Sequence, residues 1–152
     1  MATVRYLLEL KEKRVGKREP IWVSPKDLVI DAQRKMLENQ VGAILVKEGE
    51  DYVGILTERD CNQKLELEHR LAVWTLVEEI MTPSPLDSVV LETILEEVAA
   101  RFEGEGKHKR HLIVRDGGKV VDVISQRDLV YALLARAWSL EDERRGVLMH
   151  QT

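Results

Sequence analysis

The sequence predicts a mixed α/β (α+β) protein made of two β-α-β-β-α repeats that pack sheet to sheet. The main observation is that residues 54–60, Gly-Ile-Leu-Thr-Glu-Arg-Asp, recur 68 residues later as Asp-Val-Ile-Ser-Gln-Arg-Asp at 122–128. Each copy is a largely apolar run that ends in a hydroxyl residue, and apolar residues at helical spacing follow it. Repeats of about 50 residues are too small to bury a stable core alone, so the two are expected to dock.

Hydrophobic periodicity and turn residues place the elements of the first repeat, residues 1–70. Thr3 is a good N-cap for a short amphipathic helix over residues 3–13, because Tyr6, Leu7 and Leu10 follow it at helical spacing. The other predicted elements are a strand at 21–23, a helix at 28–39, strands at 43–46 and 52–56 joined by a turn, and a helix at 58–67.

The second half repeats this order after a connecting segment, residues 71–84, that holds a short helical turn stopped by Pro83. Residues 141–152 form a charged tail that either extends the last helix or frays. The second repeat, residues 85–140, is predicted to contain a shorter first strand at 86–88, a helix at 91–102, strands at 111–114 and 119–124 around a hairpin turn at 116–118, and a helix at 129–138.

Composition excludes several classes of protein. With 44% hydrophobic and 33% charged residues among 152, the chain is of globular type, and its apolar runs fall well short of the roughly 20 residues of a membrane-spanning helix. A single cysteine, Cys61, excludes an internal disulfide and a cysteine-based zinc site. Together with the absence of a signal pattern, it predicts a cytoplasmic location. The net charge of −4 argues against nonspecific binding to nucleic acid.

The repeated turn has a purely structural interpretation. In Thr57-x-x-Asp60 and in Ser125-x-x-Asp128 the hydroxyl residue occupies the N-cap position and the acid the third helical position, which is the capping-box pattern. Such a cap stabilises a helix by roughly 1 kcal/mol and needs no ligand.

A binding role explains a feature that the cap leaves open. Arg59 and Arg127 stand at the same second helical position, where a cation opposes the helix dipole. A bound anion would make that arginine favourable, since free N–H groups, a hydroxyl and a guanidinium all bind phosphate. A carboxylate beside them suits the two hydroxyls of a ribose. The two turns therefore fit two ribonucleotide half-sites.

The whole pattern resembles a tandem pair of CBS domains, also called a Bateman module, of the stand-alone bacterial or archaeal type. The resemblance rests on the repeated unit, on residues 54–60 and on Glu-Ile-Met-Thr-Pro at 79–83, and it covers about residues 3–138. It implies a pseudo-symmetric fold with two clefts between the repeats, assembly into a homodimer, and an adenosine-containing ligand. That ligand would be AMP, ADP or ATP, or else S-adenosylmethionine or NAD.

The resemblance also implies roles for individual residues. Thr57 and Ser125 would contact phosphate, and Asp60 and Asp128 would bind the ribose hydroxyls. Arg110 and His111 match a basic pair beside the phosphate and end the run Lys107-His108-Lys109-Arg110-His111, whose lysines also fit a solvated loop. The residues that would flank the base are Ile21, Ala43, Leu86 and Leu112.

Two departures from the family pattern favour the first turn over the second. Asp122 stands where the first copy has Gly54, and its carboxylate would lie near an incoming phosphate. The shorter first strand predicted for the second repeat also weakens its base pocket. We therefore expect Thr57 and Asp60 to form the better site.

The other chemically notable residues are expected to be structural. Cys61 fits a buried helix face beside Leu65 better than an activated thiol, and His108 with His111 lack a third ligand for zinc. The sequence has no phosphate-binding glycine loop and no nucleophile motif, so neither an enzyme nor a metal site is predicted. The tryptophans, expected to be core or interface anchors, are Trp22, Trp74 and Trp138.

These observations predict a non-catalytic regulatory sensor that binds an adenine nucleotide in the cleft between repeats and shifts a partner protein between states. Three alternatives stay open. The first is a protein-interaction and dimerisation module whose turns are only caps. The second is an enzyme acting on a nucleotide, for which Asp122 is the one candidate base, and the third is a nucleic-acid-binding protein that uses residues 107–111.

Overall fold

The structure, a computed structural model, describes residues 1–104 and 110–150, with side chains up to residue 146. The chain divides into two compact units. The first unit is Pro20–Asp87, and the second begins at Ser88 and also takes in Met1–Glu19. The mixed α/β class and the two repeats predicted from the sequence are confirmed.

The described elements follow the predicted order closely. They are α1 Val4–Val15, β1 Trp22–Val23, α2 Val29–Glu38, β2 Ala43–Glu48, β3 Asp51–Thr57, α3 Glu58–Cys61 with a π-helical turn Asn62–Glu66 after it, α4 Val77–Ile80, β4 Thr82–Pro83, β5 Ser88–Val90, α5 Leu95–Phe102, β6 His111–Asp116, β7 Lys119–Ser125 and α6 Gln126–His150.

The first unit is built on a four-stranded sheet in the order β1-β2-β3-β4, in which β1 and β2 are parallel and the other neighbours antiparallel. Alternate residues of β2, Ile44 and Val46, point to the core, as the period of two in a strand requires. Their neighbours there include Val29, Ala32 and Met36 of α2, Leu56 of β3, and Val77 and Ile80 of α4.

The second unit has a three-stranded sheet in the order β5-β6-β7 with the same register. Ala43 pairs with Thr57 in the first unit, and His111 pairs with Ser125 in the second. Its core residues include Leu112 and Val114 of β6, Ile124 of β7, Leu95, Val98 and Phe102 of α5, and Val4 and Leu7 of α1.

Helix α1 occupies in the second unit the position that α4 occupies in the first. Thr3 bridges to Ile94 just before α5, as Leu76 bridges to Leu28 just before α2. The first N–H groups of both helices also donate to equivalent carbonyls: Val4 to Thr93 and Val77 to Asp27, each at 2.8 Å. This arrangement corrects the prediction that grouped α1 with the first repeat. The partners of α1 lie far along the chain, and its amphipathic pattern does not indicate which elements it packs against.

After their first turn the two helices diverge. α4 ends at Ile80, and the chain then forms β4, which pairs with β3 at Gly54 and Pro83. α1 instead continues to Val15. β4 comes so close to Gly54 that a Cβ there would lie 2.6 Å from Sδ of Met81 and 2.8 Å from the carbonyl oxygen of Thr82. Only glycine fits this position without a shift of its neighbours.

Two further predictions about the second half need correction. Its first strand is not shorter than that of the first half, since β5 has three residues and β1 has two. It also lies later than predicted, at Ser88–Val90, because Val89 supplies the buried residue that pairs with β6. None of the helices in the described part of the chain is long and apolar enough to cross a membrane.

Candidate functional site

The first repeated turn is a complete capping box at the end of β3. Thr57 Oγ1 accepts a hydrogen bond from the backbone N–H of Asp60 at 3.1 Å. In return, Asp60 Oδ2 accepts from the backbone N–H and the hydroxyl of Thr57, both at 3.0 Å. The turn is tied to the start of β2 because the N–H of Glu58 donates to the carbonyl of Gly42 at 3.0 Å. The structural interpretation of this turn is therefore correct, and it holds Asp60 in one orientation.

The second oxygen of Asp60 faces exchangeable side-chain donors. Asp60 is buried, and its Oδ1 accepts from Lys64 Nζ at 3.1 Å and from Thr82 Oγ1 at 3.2 Å. Lys64 also donates to the carbonyl of Ile80 at 2.9 Å. A ligand hydroxyl could take the place of these donors on Oδ1 while the capping box keeps Oδ2.

The second repeated turn has the same cap. The N–H of Asp128 donates to Ser125 Oγ at 3.2 Å, and the N–H of Ser125 donates to Asp128 Oδ2 at 2.8 Å. The turn is tied to the residue before β6, since the N–H of Gln126 donates to the carbonyl of Arg110 at 3.1 Å. The two turns are thus equivalent in their backbone.

The surroundings of Asp128 differ from those of Asp60. Arg14 Nη2 of α1 donates to Asp128 Oδ1 at 2.6 Å, and Lys11 Nζ lies 3.5 Å from Oδ2. Lys11 also donates to Asp122 Oδ1 at 3.2 Å and to the carbonyl of Val123 at 2.7 Å. Asp122 stands where the first repeat has Gly54. Its carboxylate is paired with a cation from α1, whereas Gly54 faces the neighbouring strand β4.

The two residues of the basic pair at the start of β6 differ in burial. Arg110 is exposed, whereas His111 is half-buried. Burial lowers the pKa of His111 from 6.5, and the cations Lys11 and Arg110 act in the same direction against the opposing charge of Asp128. This shift in pKa favours the neutral form of His111. Lys107, His108 and Lys109 lie outside the described residues.

The four residues predicted to flank the base do not share one environment. Ile21 is partly buried and Ala43 is buried; Ala43 lies on the side of β2 opposite to Ile44 and Val46. Leu112 instead belongs to the core of the second unit, and the register makes His111 the counterpart of Ala43. The assignment of Leu112 is one residue out of register, which turns a strand residue to the other face.

Leu86 is likewise misplaced by one residue. Trp22 pairs with Leu45, and Ser88 pairs with Ile113, so the counterpart of Ile21 is Asp87. Leu86 precedes β5 and falls in the first unit. The prediction followed the apolar character of Leu86, whereas the strand register is determined by Val89 in the core.

The remaining predicted residues have the following positions. Arg59 and Arg127 are exposed on the first turns of α3 and α6. Cys61 is buried in the same core cluster as Leu65, as predicted, and burial followed by the charge of Asp60 raises the pKa of its thiol to about 11. Trp22, Trp74 and Trp138 are all exposed, so none is a core anchor of its unit. No cluster of metal ligands is found among the described residues.

Sequence reasoning missed the residues that contact the two carboxylates from outside the turns. Lys64 carried a readable signal, because it lies four residues after Asp60 on the helix that the turn begins. Lys11 and Arg14 are three apart on one face of α1, but their partner Asp128 is more than 100 residues away. Thr82 reaches Asp60 only because β4 exists.

A known family has this organisation. The family model of the CBS domain matches the chain twice, over residues 13–66 and 77–135. The chain belongs to the CBS-domain family. The resemblance found in the sequence is thereby confirmed, and each capped turn closes the last strand of one CBS repeat.

CBS-domain proteins of known structure share the fold. A protein with CBS domains from Burkholderia ambifaria MC40-6 is 36% identical, with a TM-score of 0.79 over 88% of this chain and 95% of that one. CBSX2, solved in complex with AMP, is 25% identical, with a TM-score of 0.65 over 90% of this chain and 99% of that one.

A curated CBS relative is much longer than this chain. The CBS domain-containing protein CBSCBSPB3 of Arabidopsis thaliana is 31% identical over 131 residues, which are 85% of this chain and 23% of that protein. The chain spans about a quarter of that relative, so the likeness concerns the CBS pair alone.

Proposed function

We propose that this CBS pair is a non-catalytic regulatory module that binds an adenine nucleotide, AMP, ADP or ATP or a related adenosyl ligand, at the Thr57–Asp60 turn. The observation that carries the proposal is the Asp60 carboxylate. One of its oxygens is held by the capping box, and the other faces the displaceable donors Lys64 and Thr82. A carboxylate in this arrangement suits a ribose hydroxyl.

Other features of the turn support a nucleotide over a plain diol. Arg59, exposed in the same turn, carries a guanidinium of the kind that binds phosphate, and the Thr57 hydroxyl lies beside it in sequence. Ile21 and Ala43 provide apolar surface close to the turn. Ala43 of β2 pairs with Thr57, and the carbonyl of Ile21 accepts a hydrogen bond from the N–H of Leu45, also in β2. The fold neighbour CBSX2 was solved with AMP.

Titration calorimetry with AMP, ATP and S-adenosylmethionine tests the proposal. The wild-type protein is expected to release or take up heat with at least one of them, and Asp60→Asn should weaken that binding at least tenfold. The matched control is Asp31→Asn, which removes a carboxylate from an exposed surface pair. Absence of heat and of any thermal shift at millimolar nucleotide would contradict nucleotide binding.

A regulatory role implies that the ligand favours one arrangement of the protein over another, which a partner protein then senses. We place this sensor in the cytoplasm, in keeping with its single buried thiol. Incubation with ATP and Mg²⁺ should return the nucleotide unchanged. Stoichiometric turnover detected by chromatography would instead identify an enzyme.

A dimerisation module is the second candidate, and α6 supplies the observation that favours it. Val130, Leu134 and Trp138 recur every four residues along α6 and are exposed by 53%, 45% and 67%. Such a stripe on a helix is typical of an interface with another chain. We propose a homodimer through this stripe. Trp138→Glu should halve the mass measured by light scattering, whereas Trp74→Glu, at a position that is even more exposed but lies outside α6, should not.

A further inference from the structure

Asp60 and Asp128 occupy equivalent turns but differ in the cations that reach them. Among the described residues, the ion pair of Asp60 is with Lys64, which lies four residues further along its own helical segment. Asp128 is paired with two cations from a different element, α1. Arg14 lies 2.6 Å from Oδ1, and Lys11 lies 3.5 Å from Oδ2. The two carboxylates therefore differ in the cations that a ligand would have to displace.

The two cations on Asp128 are held in place by further contacts. The guanidinium of Arg14 lies over the ring of Tyr131 at 4.2 Å, which fixes its plane. The ammonium of Lys11 also binds Asp122 and the carbonyl of Val123. Each of the two cations therefore has a second partner besides Asp128.

The helix that carries these cations is part of the core. Val4 and Leu7 of α1 are 0% and 1% exposed, so α1 cannot withdraw without opening the second unit. Lys64 is the one cation paired with Asp60 among the described residues, and its side chain is 35% exposed, against 30% for Arg14 and 18% for Lys11. A ligand at Asp60 therefore has one cation to displace, whereas a ligand at Asp128 has two, which also contact Tyr131 and Asp122.

We infer that Lys11 and Arg14 keep the Ser125–Asp128 turn from binding a nucleotide, so that the protein binds one nucleotide per chain, at Thr57–Asp60. A ribose diol needs carboxylate oxygens as acceptors. In the second turn Arg14 occupies Oδ1, while the N–H of Ser125 and the ammonium of Lys11 share Oδ2. This inference rests on the proposed function, since it decides which of the two turns takes the ligand.

Calorimetric stoichiometry tests the inference. With whichever of AMP, ATP or S-adenosylmethionine binds the wild type, we expect one nucleotide per chain. Replacing both cations, Lys11→Met with Arg14→Met, keeps the apolar stems on α1 and should raise the stoichiometry to two. The control is Lys13→Met with Lys17→Met, which removes the same charge from exposed positions and should leave it at one.

A second pair of variants decides the question even if the double Met variant fails to fold. Asp128→Asn should leave stoichiometry at one and the dissociation constant within twofold of wild type, whereas Asp60→Asn should lose the site. Two nucleotides per wild-type chain, or loss of binding in Asp128→Asn alone, would overturn the inference while leaving nucleotide binding intact. A folded Lys11→Met, Arg14→Met variant that still binds one nucleotide would also overturn it. No binding at all to wild type would instead reject the proposed function.

Discussion

At the scale of single residues, Gly54 and its counterpart Asp122 show how the two halves differ at one equivalent position. β4 lies against it, and an added Cβ would meet Met81 Sδ at 2.6 Å and the Thr82 carbonyl at 2.8 Å. The equivalent residue of the second unit, Asp122, bonds to Lys11 instead. Asp122 departs from the family pattern because its neighbour is α1, whereas the neighbour of Gly54 is β4.

Gly54→Ala is expected to destabilise the protein by about 1–3 kcal/mol, because the backbone of β4 must move to admit the methyl group. Urea unfolding followed by circular dichroism measures the change. Gly146→Ala is the control, since a Cβ there meets nothing within 4 Å and the residue lies in α6. That variant should be neutral or slightly stabilising. Equal effects of the two substitutions would refute the role of the close contact.

His111 gives the stability a defined pH dependence. Burial lowers its pKa in the folded protein below 6.5, so between 6.5 and that lower value the unfolded chain binds more protons than the folded one. This contribution to stability is complete above pH 6.5 and is lost as the pH falls through this window. The slope for one proton is at most about 1.4 kcal/mol per pH unit.

His111→Gln should therefore flatten the decline of unfolding free energy between pH 7.5 and pH 5.5, measured by urea titration at each pH. The exposed His69 provides a control. His69→Asn, chosen because Asn tolerates the positive φ of 57° at that position, should keep the wild-type slope. A His111→Gln protein with an unchanged slope would show that another group titrates.

The residue scale also shows what a sequence can reveal about a site. Thr57 and Asp60 were found because the turn occurs twice, and Lys64 was within reach of an i, i+4 argument. Lys11 and Arg14 carried no such signal, because their contact with Asp128 depends on how α1 docks. Leu112 and Leu86 were assigned by apolar character, which does not determine which face of a strand a residue occupies.

At the scale of elements, the helix α1 is an integral part of the second unit. It inserts Val4 and Leu7 into the core built by α5, β6 and β7. The central strands were predictable, since β2, β3, β6 and β7 are largely apolar runs beside turn residues. β4 was not, because a two-residue strand that contains proline has no pattern of its own and forms only against β3.

Leu7→Ala should cost about 2–5 kcal/mol, the range for truncating a fully buried leucine. The loss should concern the second unit, so hydrogen exchange should accelerate in β6 and β7 more than in β2 and β3. Leu37→Ala in α2 is the control, because Leu37 is 79% exposed and its truncation should change stability by less than about 0.5 kcal/mol. Uniform acceleration across both sheets would contradict an effect restricted to one unit.

At the scale of the whole molecule, the chain leaves the second unit after α1, completes the first unit, and then returns. The two repeats were predictable from their constant spacing, but the assignment of α1 was not. Sequence order favoured joining α1 to the segment that follows it. The structure instead uses α1 for the position that α4 fills in the first unit.

Cutting the exposed connection between α1 and β1 should therefore leave α1 bound to the second unit. A specific protease site inserted after Gly16, in the non-helical segment before β1, allows the cut to be made in the folded protein. After cleavage, the short fragment should co-elute with the rest of the chain at micromolar concentration and dissociate on dilution, because the tether no longer supplies a high effective concentration. Immediate separation would mean that α1 contributes little binding energy.

The docking of α1 on a distant part of the chain has a consequence for biosynthesis. Lys11 and its partner Asp122 are 111 residues apart, so at a ribosomal rate of roughly 5–20 residues per second the apolar face of α1 waits about 5–20 s for its partner strands. The whole of Pro20–Asp87 emerges within that interval. The first unit can therefore begin to fold on the ribosome before the second has been made, and the helix that is made first is among the last elements to reach its native position.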